Sequence, residues 1–196
     1  MNPIILASAS PRRAELLRQI EYEPIVIPAE VDEEAIRREQ AADLVRALAQ
    51  AKLEAVCARL EEEADRRVAL LPVLAADTVV TRGDRILEKP TDRADASSML
   101  SLLSGGEHAV MTGVAVRFPG EREPVVAHAE TVVTFADINS DEIDWYLDRG
   151  EWRDVAGAYR IQGVAARFIS SIRGSYSNVV GLPLHLVYSI LMGQRP

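Results

Sequence analysis

Ile4-Ile5-Leu6-Ala7-Ser8-Ala9-Ser10-Pro11-Arg12-Arg13-Ala14-Glu15-Leu16-Leu17 reads as a strand, a hydroxyl-rich turn and the start of a helix. The four apolar residues suit a short buried strand. Pro11 suits the first turn of a helix, where its missing N–H costs nothing. Ser10 suits the N-cap that precedes it. A helix start offers unpaired N–H groups and the positive end of the macrodipole. Arg12 and Arg13 add guanidinium groups, whose fork matches phosphate oxygens. The turn therefore points to a ligand that carries phosphate. The same residues would also serve a plain capped helix with solvated arginines.

Outward from this turn the chain mixes helix and strand signals. Pro24-Ile25-Val26-Ile27-Pro28 predicts a second short strand, and residues 29–34 an acidic turn. From Ala41 to Glu62 the apolar positions Leu44, Leu48, Ala51, Leu53, Val56 and Leu60 keep helical spacing. Residues 68–80 carry the strongest strand signal, near-continuously apolar as in a strand buried on both faces. Asp77-Thr78 interrupts that run with two polar residues. A turn at residues 82–85, a short return strand at Ile86-Leu87 and a helix through Met99 and Leu103 follow. Gly105 and Gly106 end that helix. Residues 109–116 and 125–135 read as two strands, Ser140 as a helix start and residues 166–169 as another strand. Residues 174–181 read as turns, and the last helix runs from Leu182 to near Met192. Consecutive strands in the middle exclude strict βαβ alternation. The expectation is an α/β or α+β fold with a mixed sheet, forming one domain over residues 1–196.

Composition narrows the function. The 196 residues carry a formal net charge of −8, which argues against a protein that coats nucleic acid. A local basic pocket can still hold a nucleotide. Cys57 is the only cysteine and lies in a helical pattern, so it reads as a small core residue. One cysteine and three histidines do not supply a zinc spacing. No signal-peptide pattern and no membrane-length apolar run is read, so a cytoplasmic location and no membrane partner are expected.

Asp77 is the second notable residue. A carboxylate in a buried strand is costly unless paired, hydrogen-bonded or metal-bound. It suits a general base or a metal ligand, and equally a carboxylate that caps a turn at a strand end. Lys89 follows the return strand, and a hairpin there would bring it back toward Asp77. Lys52 lies among apolar neighbours on the long helix. Asp32 and Glu33 form a pair of hard oxygen donors of the kind that Mg²⁺ takes together with phosphate and water. Gln162 lies between glycine-containing turns, and its amide can both donate to and accept from a base edge. No P-loop or dinucleotide fingerprint occurs.

Leu6-Ala7-Ser8-Ala9-Ser10-Pro11-Arg12-Arg13, Ala76-Asp77-Thr78-Val79-Val80, Glu88-Lys89-Pro90, Leu103-Ser104-Gly105-Gly106 and Met111-Thr112-Gly113-Val114 stand in the order found in the Maf family. Ala156-Gly157-Ala158-Tyr159-Arg160-Ile161-Gln162-Gly163 and Gly174-Ser175-Tyr176-Ser177-Asn178-Val179-Val180-Gly181-Leu182-Pro183-Leu184 complete the pattern. The chain thus resembles the Maf family over nearly its whole length.

The resemblance implies a nucleoside triphosphate pyrophosphatase that uses a divalent cation, Mg or Mn. It implies an elongated mixed β-sheet flanked by helices, with two lobes around a central cleft, as in inosine-triphosphate pyrophosphatases. Asp77 matches the family's proton acceptor. Ser8, Arg13, Lys52 and Lys89 match its phosphate-side residues. Arg12, Thr78 and Gln162 match the positions that separate its branches, and this combination resembles the branch acting on dTTP and UTP. A homodimer is a further expectation of the family, as is a link to division arrest. The latter keeps a nucleotide-binding regulator without relevant catalysis as the rival reading. One departure stands out: where the family often has Asp-Lys-Ala-Gly-Ala-Tyr-Gly, this chain has Val155 and Arg160. A cationic charge is lost at 155 and gained at 160, and the two compensate only if both face the cleft.

Overall fold

The computed structural model of the chain describes residues 2–63, 67 and 70–194. The first apolar run forms strand β1 (Asn2–Leu6), and helix α1 (Pro11–Gln19) follows with Pro11 in its first turn. Strand β2 (Tyr22–Val26) pairs parallel with β1. A 3-10 turn (Glu33–Ala35) precedes helix α2 (Ala41–Glu62), whose bounds match the helical spacing in the sequence. Strand β3 (Val73–Arg82) pairs parallel with β1, and β4 (Arg85–Leu87) folds back antiparallel onto β3. Helix α3 (Arg93–Leu103), strands β5 (Glu107–Arg117) and β6 (Val125–Phe135) and helix α4 (Ser140–Leu147) come next. Strand β7 (Ile169–Arg173) pairs antiparallel with β6, and helices α5 (Tyr176–Val180) and α6 (Leu184–Leu191) end the described chain.

The sheet is mixed, in the order β2-β1-β3-β5-β6-β7 with β4 paired to β3. This is the α/β class expected from the element pattern. By contacts the chain divides into two compact units. The first is Met1–Asp77, Thr112–Ala129 and Gly181–Pro196, and the second is Thr78–Met111 and Glu130–Val180. Each has its own core. In the first, Ala49, Leu53, Val56, Cys57 and Leu60 of α2 pack with Ile5, Val73, Ala75 and Ala115 from the strands. In the second, Phe135, Tyr146, Tyr159 and Phe168 pack with Leu100 and Leu103 of α3. Among the described residues, no helix is long and apolar enough to cross a membrane.

Four local expectations change. The strand predicted from residue 68 begins at Val73. Val68 and Ala69 lie outside the described residues, and the N–H groups of Leu70 and Leu71 turn back to the Arg67 carbonyl. Asp77-Thr78 does not interrupt the run, because β3 passes through both residues to Arg82. Residues 164–168 form a 3-10 turn rather than a strand, which buries Ala165 and Phe168 at a spacing of three. Residues 176–180 wind into a short helix within the stretch read as turns.

One close approach fixes where α2 lies. A Cβ on Gly113 of β5 would sit 2.1 Å from the Val45 carbonyl oxygen and 2.8 Å from the Arg46 nitrogen. Only glycine lets the backbone of α2 rest on the strand there. Val45, Ala49, Lys52 and Val56 share one face of α2, so the contact at Val45 also orients Lys52.

Candidate active site

Asp77 ends the first segment of the first unit and is one of its buried polar residues, 6% exposed. Its neighbours on β3, Leu74 to Ala76, are fully buried, so the carboxylate has little water to solvate it. Lys52 supplies what water does not: its Nζ lies 2.5 Å from Asp77 Oδ1. The same ammonium lies 2.9 Å from Glu33 Oε1. One cation from α2 thus joins a strand carboxylate to a carboxylate on the 3-10 turn. Buried pairs of this kind are costly to break from one side, because the remaining charge keeps its desolvation penalty.

The hydroxyl-rich turn forms the second part of the site. Ser8 is buried, 7% exposed, and its Oγ accepts from Arg13 Nη1 at 3.1 Å and from the Ser10 N–H at 3.2 Å. Ser10 occupies the N-cap position, but its side chain makes no capping hydrogen bond. Its backbone amide turns to Ser8 instead. Arg13 Nε donates to the Gly181 carbonyl at 2.9 Å. The guanidinium is therefore held by a serine from the turn and by a carbonyl far along the chain. Burial pulls Arg13 below its ordinary pKa, and the charge of Asp77 opposes that pull, so the two groups sense each other. Arg12 lies beside Arg13, half-buried, in the first turn of α1.

Asp32 and Glu33 separate in role. Asp32 Oδ1 accepts from the Ala35 N–H at 3.3 Å and so caps the 3-10 turn. Glu33 reaches inward to Lys52. Among the described residues no group of three or more potential metal-ligating side chains is assembled. Glu33 and Asp77 nevertheless share one ammonium, so their carboxylates face a common point. Two hard carboxylates suit Mg²⁺ or Mn²⁺ when phosphate oxygens and water complete the shell.

The second unit carries the other candidates. Thr78 continues β3, half-buried. The β3–β4 hairpin exists, but its pairing ends at Val80 opposite Leu87, two residues before Lys89, which is exposed. Gly157, at φ +68°, donates its N–H to the Glu88 carbonyl, and a Cβ there would meet the Val80 side chain at 2.8 Å. The segment that precedes Gln162 is thus seated on the hairpin that precedes Lys89. Gln162 is exposed, in a turn closed by the Gly163 N–H on the Arg160 carbonyl at 3.0 Å. Arg160 donates from Nη2 to the Arg153 carbonyl at 3.1 Å, so its guanidinium ties the loop together internally.

A model of the family described as Maf-like protein matches residues 3–194. The chain belongs to the Maf family. Its Maf relatives include a protein of Symbiobacterium thermophilum named dTTP/UTP pyrophosphatase. The two are 49% identical over 191 residues, covering 97% of this chain and 93% of the relative. A protein of Chelativorans sp. with the same name is 45% identical, covering 96% of this chain and 89% of the relative. Among solved structures, the Staphylococcus aureus Ham1 protein matches with a TM-score of 0.53 over 98% of this chain and 100% of that one. At 15% identity, that likeness establishes a shared fold.

Two features of the candidate site escaped the sequence. The Gly181 carbonyl that holds Arg13 has no side chain to announce it, and the sequence marks the place only by a glycine that closes the turn-like stretch 174–181. The link from Glu33 to Lys52 joins two segments whose spacing in the chain carries no regular period.

Proposed function

We propose that this chain hydrolyses dTTP and UTP to the nucleoside monophosphate and pyrophosphate. The observation that carries the reading is the buried Asp77 carboxylate, held by Lys52 beside an arginine that is itself fixed by Ser8 and Gly181. The names of the Maf relatives support the same substrate class. The reading takes the whole chain, residues 1–196, as one functional domain acting in the cytoplasm. It also takes the chain to form a homodimer, with no nucleic-acid or membrane partner.

In this mechanism Asp77 accepts the proton of the attacking water. Its place in a rigid strand keeps the carboxylate oriented, which matters because acid–base catalysis needs the base within hydrogen-bond reach of the proton. Ser8 and Arg13 bind phosphate oxygens. Lys52 balances the negative charge that gathers when the triphosphate arrives. Phosphoryl transfer asks mostly for such positioning and charge compensation. Glu33 and Asp77, rather than Asp32, are the residues that would hold a divalent cation. That cation would supply charge neutralisation and polarisation at the phosphoryl group. Lys89 would meet the phosphates, and Arg12, Thr78 and Gln162 would choose the base.

A panel of nucleoside triphosphates with Mg²⁺ or Mn²⁺, scored for pyrophosphate against orthophosphate, tests the reading. Pyrophosphate release that is fastest from dTTP and UTP is expected. Orthophosphate alone would replace the reading with a phosphatase. Nucleotide-dependent thermal stabilisation with no release would replace it with a nucleotide-binding regulator.

A further inference from the structure

Gln162 sits on the outer part of its turn, and among the described residues its side chain makes no hydrogen bond. An amide that reads a base edge must present its oxygen and its N–H groups in a fixed direction. No hydrogen bond to the side chain does that here, so the backbone of the turn must. The flank before Gln162 is pinned by two contacts. The Arg160 N–H donates to the Tyr146 hydroxyl at 3.3 Å, and the Arg160 guanidinium holds the Arg153 carbonyl.

The flank after Gln162 is pinned by one carboxylate. Glu151 Oε2 accepts the Val164 N–H at 2.9 Å. Val164 opens the 3-10 turn, and its N-cap, Gly163, has no side chain that could satisfy that orphan donor. Glu151 reaches in to cap the turn from 13 residues earlier in the chain. Gly163 is what allows this: a Cβ there would lie 2.0 Å from Oε2 and 2.9 Å from Oε1 of Glu151. The carboxylate therefore lies directly over the residue that follows Gln162.

We propose that Glu151 is a positioning residue for nucleobase selection, holding the turn that presents Gln162; this rests on the reading above in which Gln162 meets the base. Glu151 itself touches neither phosphate nor base. Its loss frees the Val164 N–H and lets the turn wander, so the cost falls on discrimination between bases and on KM, and not on kcat.

The test compares kcat and KM for UTP and CTP, which differ by a carbonyl against an amino group on the pyrimidine ring. Glu151→Ala is expected to lower the UTP-over-CTP preference by about tenfold, the scale of one hydrogen bond, with kcat for UTP nearly unchanged. Glu151→Gln keeps an acceptor oxygen and is expected to restore the preference. Gly163→Ala pushes the carboxylate away without removing it and is expected to reproduce the loss, which covers the case in which Glu151→Ala folds poorly. In a Gln162→Ala background, Glu151→Ala is expected to change the preference no further. If Gln162→Ala abolishes the preference while Glu151→Ala and Gly163→Ala leave it intact, Glu151 does not position the reader. If Gln162→Ala itself leaves the preference intact, the reading of Gln162 is overturned, and the role of Glu151 with it.

Discussion

His108 makes acid pH the sharpest test of the second unit. The ring is 3% exposed and lies edge-on to Phe135 and Tyr159. Its Nε2 is 2.8 Å from the Tyr159 hydroxyl, while its Nδ1 has no partner among the described residues. Burial first, and the nearby Arg82 charge second, pull its pKa from 6.5 to about 4. Because the folded value is the lower one, the unfolded chain takes up the proton first as pH falls. Stability from a neutral His108 is present above about pH 6.5 and drains away between 6.5 and 4. At about 1.4 kcal/mol per pH unit, that distance is worth about 3 kcal/mol. Roughly 2 kcal/mol of it is gone by pH 5. Both tryptophans, Trp145 and Trp152, lie in the same unit, so their fluorescence during urea unfolding reports on it. Wild type and His108→Phe would be unfolded at several values between pH 7 and pH 4.5. Carboxylates titrate in both proteins, so the difference between their pH slopes isolates His108. Wild type should lose about 2 kcal/mol more than the variant between pH 7 and pH 5. Parallel slopes would mean that burial does not hold His108 neutral, whatever the absolute stabilities.

Asp77→Asn keeps the shape of the strand residue and removes the proton acceptor, so turnover on UTP should fall on the order of 10²-fold or more; near-wild-type turnover would end its assignment as the base. Lys52→Met leaves Asp77 without its cation at 6% exposure. Breaking such a pair from one side costs about 3–5 kcal/mol, so the midpoint of thermal unfolding should drop clearly as activity is lost, and an unchanged midpoint would contradict the buried pairing. Gly113→Ala places a methyl group against the Val45 carbonyl. Backbone cannot yield as a flexible side chain can, so a loss of about 1–3 kcal/mol is expected in chemical denaturation, and a stability equal to wild type would show that α2 does not rest on that glycine.

The parts of the fold readable in the sequence are those set by local rules. α2 follows the spacing of its apolar residues from Ala41 to Glu62, and Pro11 marks the first turn of α1. The start of α4 was legible too, and the structure adds a capping box in which Asn139 and Glu142 exchange side-chain and backbone hydrogen bonds. Errors came where tertiary contacts override a local signal. Polar residues in an apolar run read as a break, yet Asp77 stays in β3 because Lys52 reaches it from α2. Ser10, by contrast, does occupy the N-cap of α1, although its side chain makes no capping hydrogen bond.

By itself, the order of motifs determined the family and the mixed α/β class, because glycines, prolines and apolar periods act over a few residues. The same motifs also named Asp77, Ser8 and Arg13 as candidates, and the family match added Lys52 from the long helix. Which of them meet is set by the folded arrangement. Lys52 between Asp77 and Glu33, Arg13 on the Gly181 carbonyl, and Glu151 over Gly163 each join segments that are distant or irregularly spaced in the chain. The physical reason is that a buried charge or an orphan N–H must find its partner in space, and the fold alone sets which residue lies within reach.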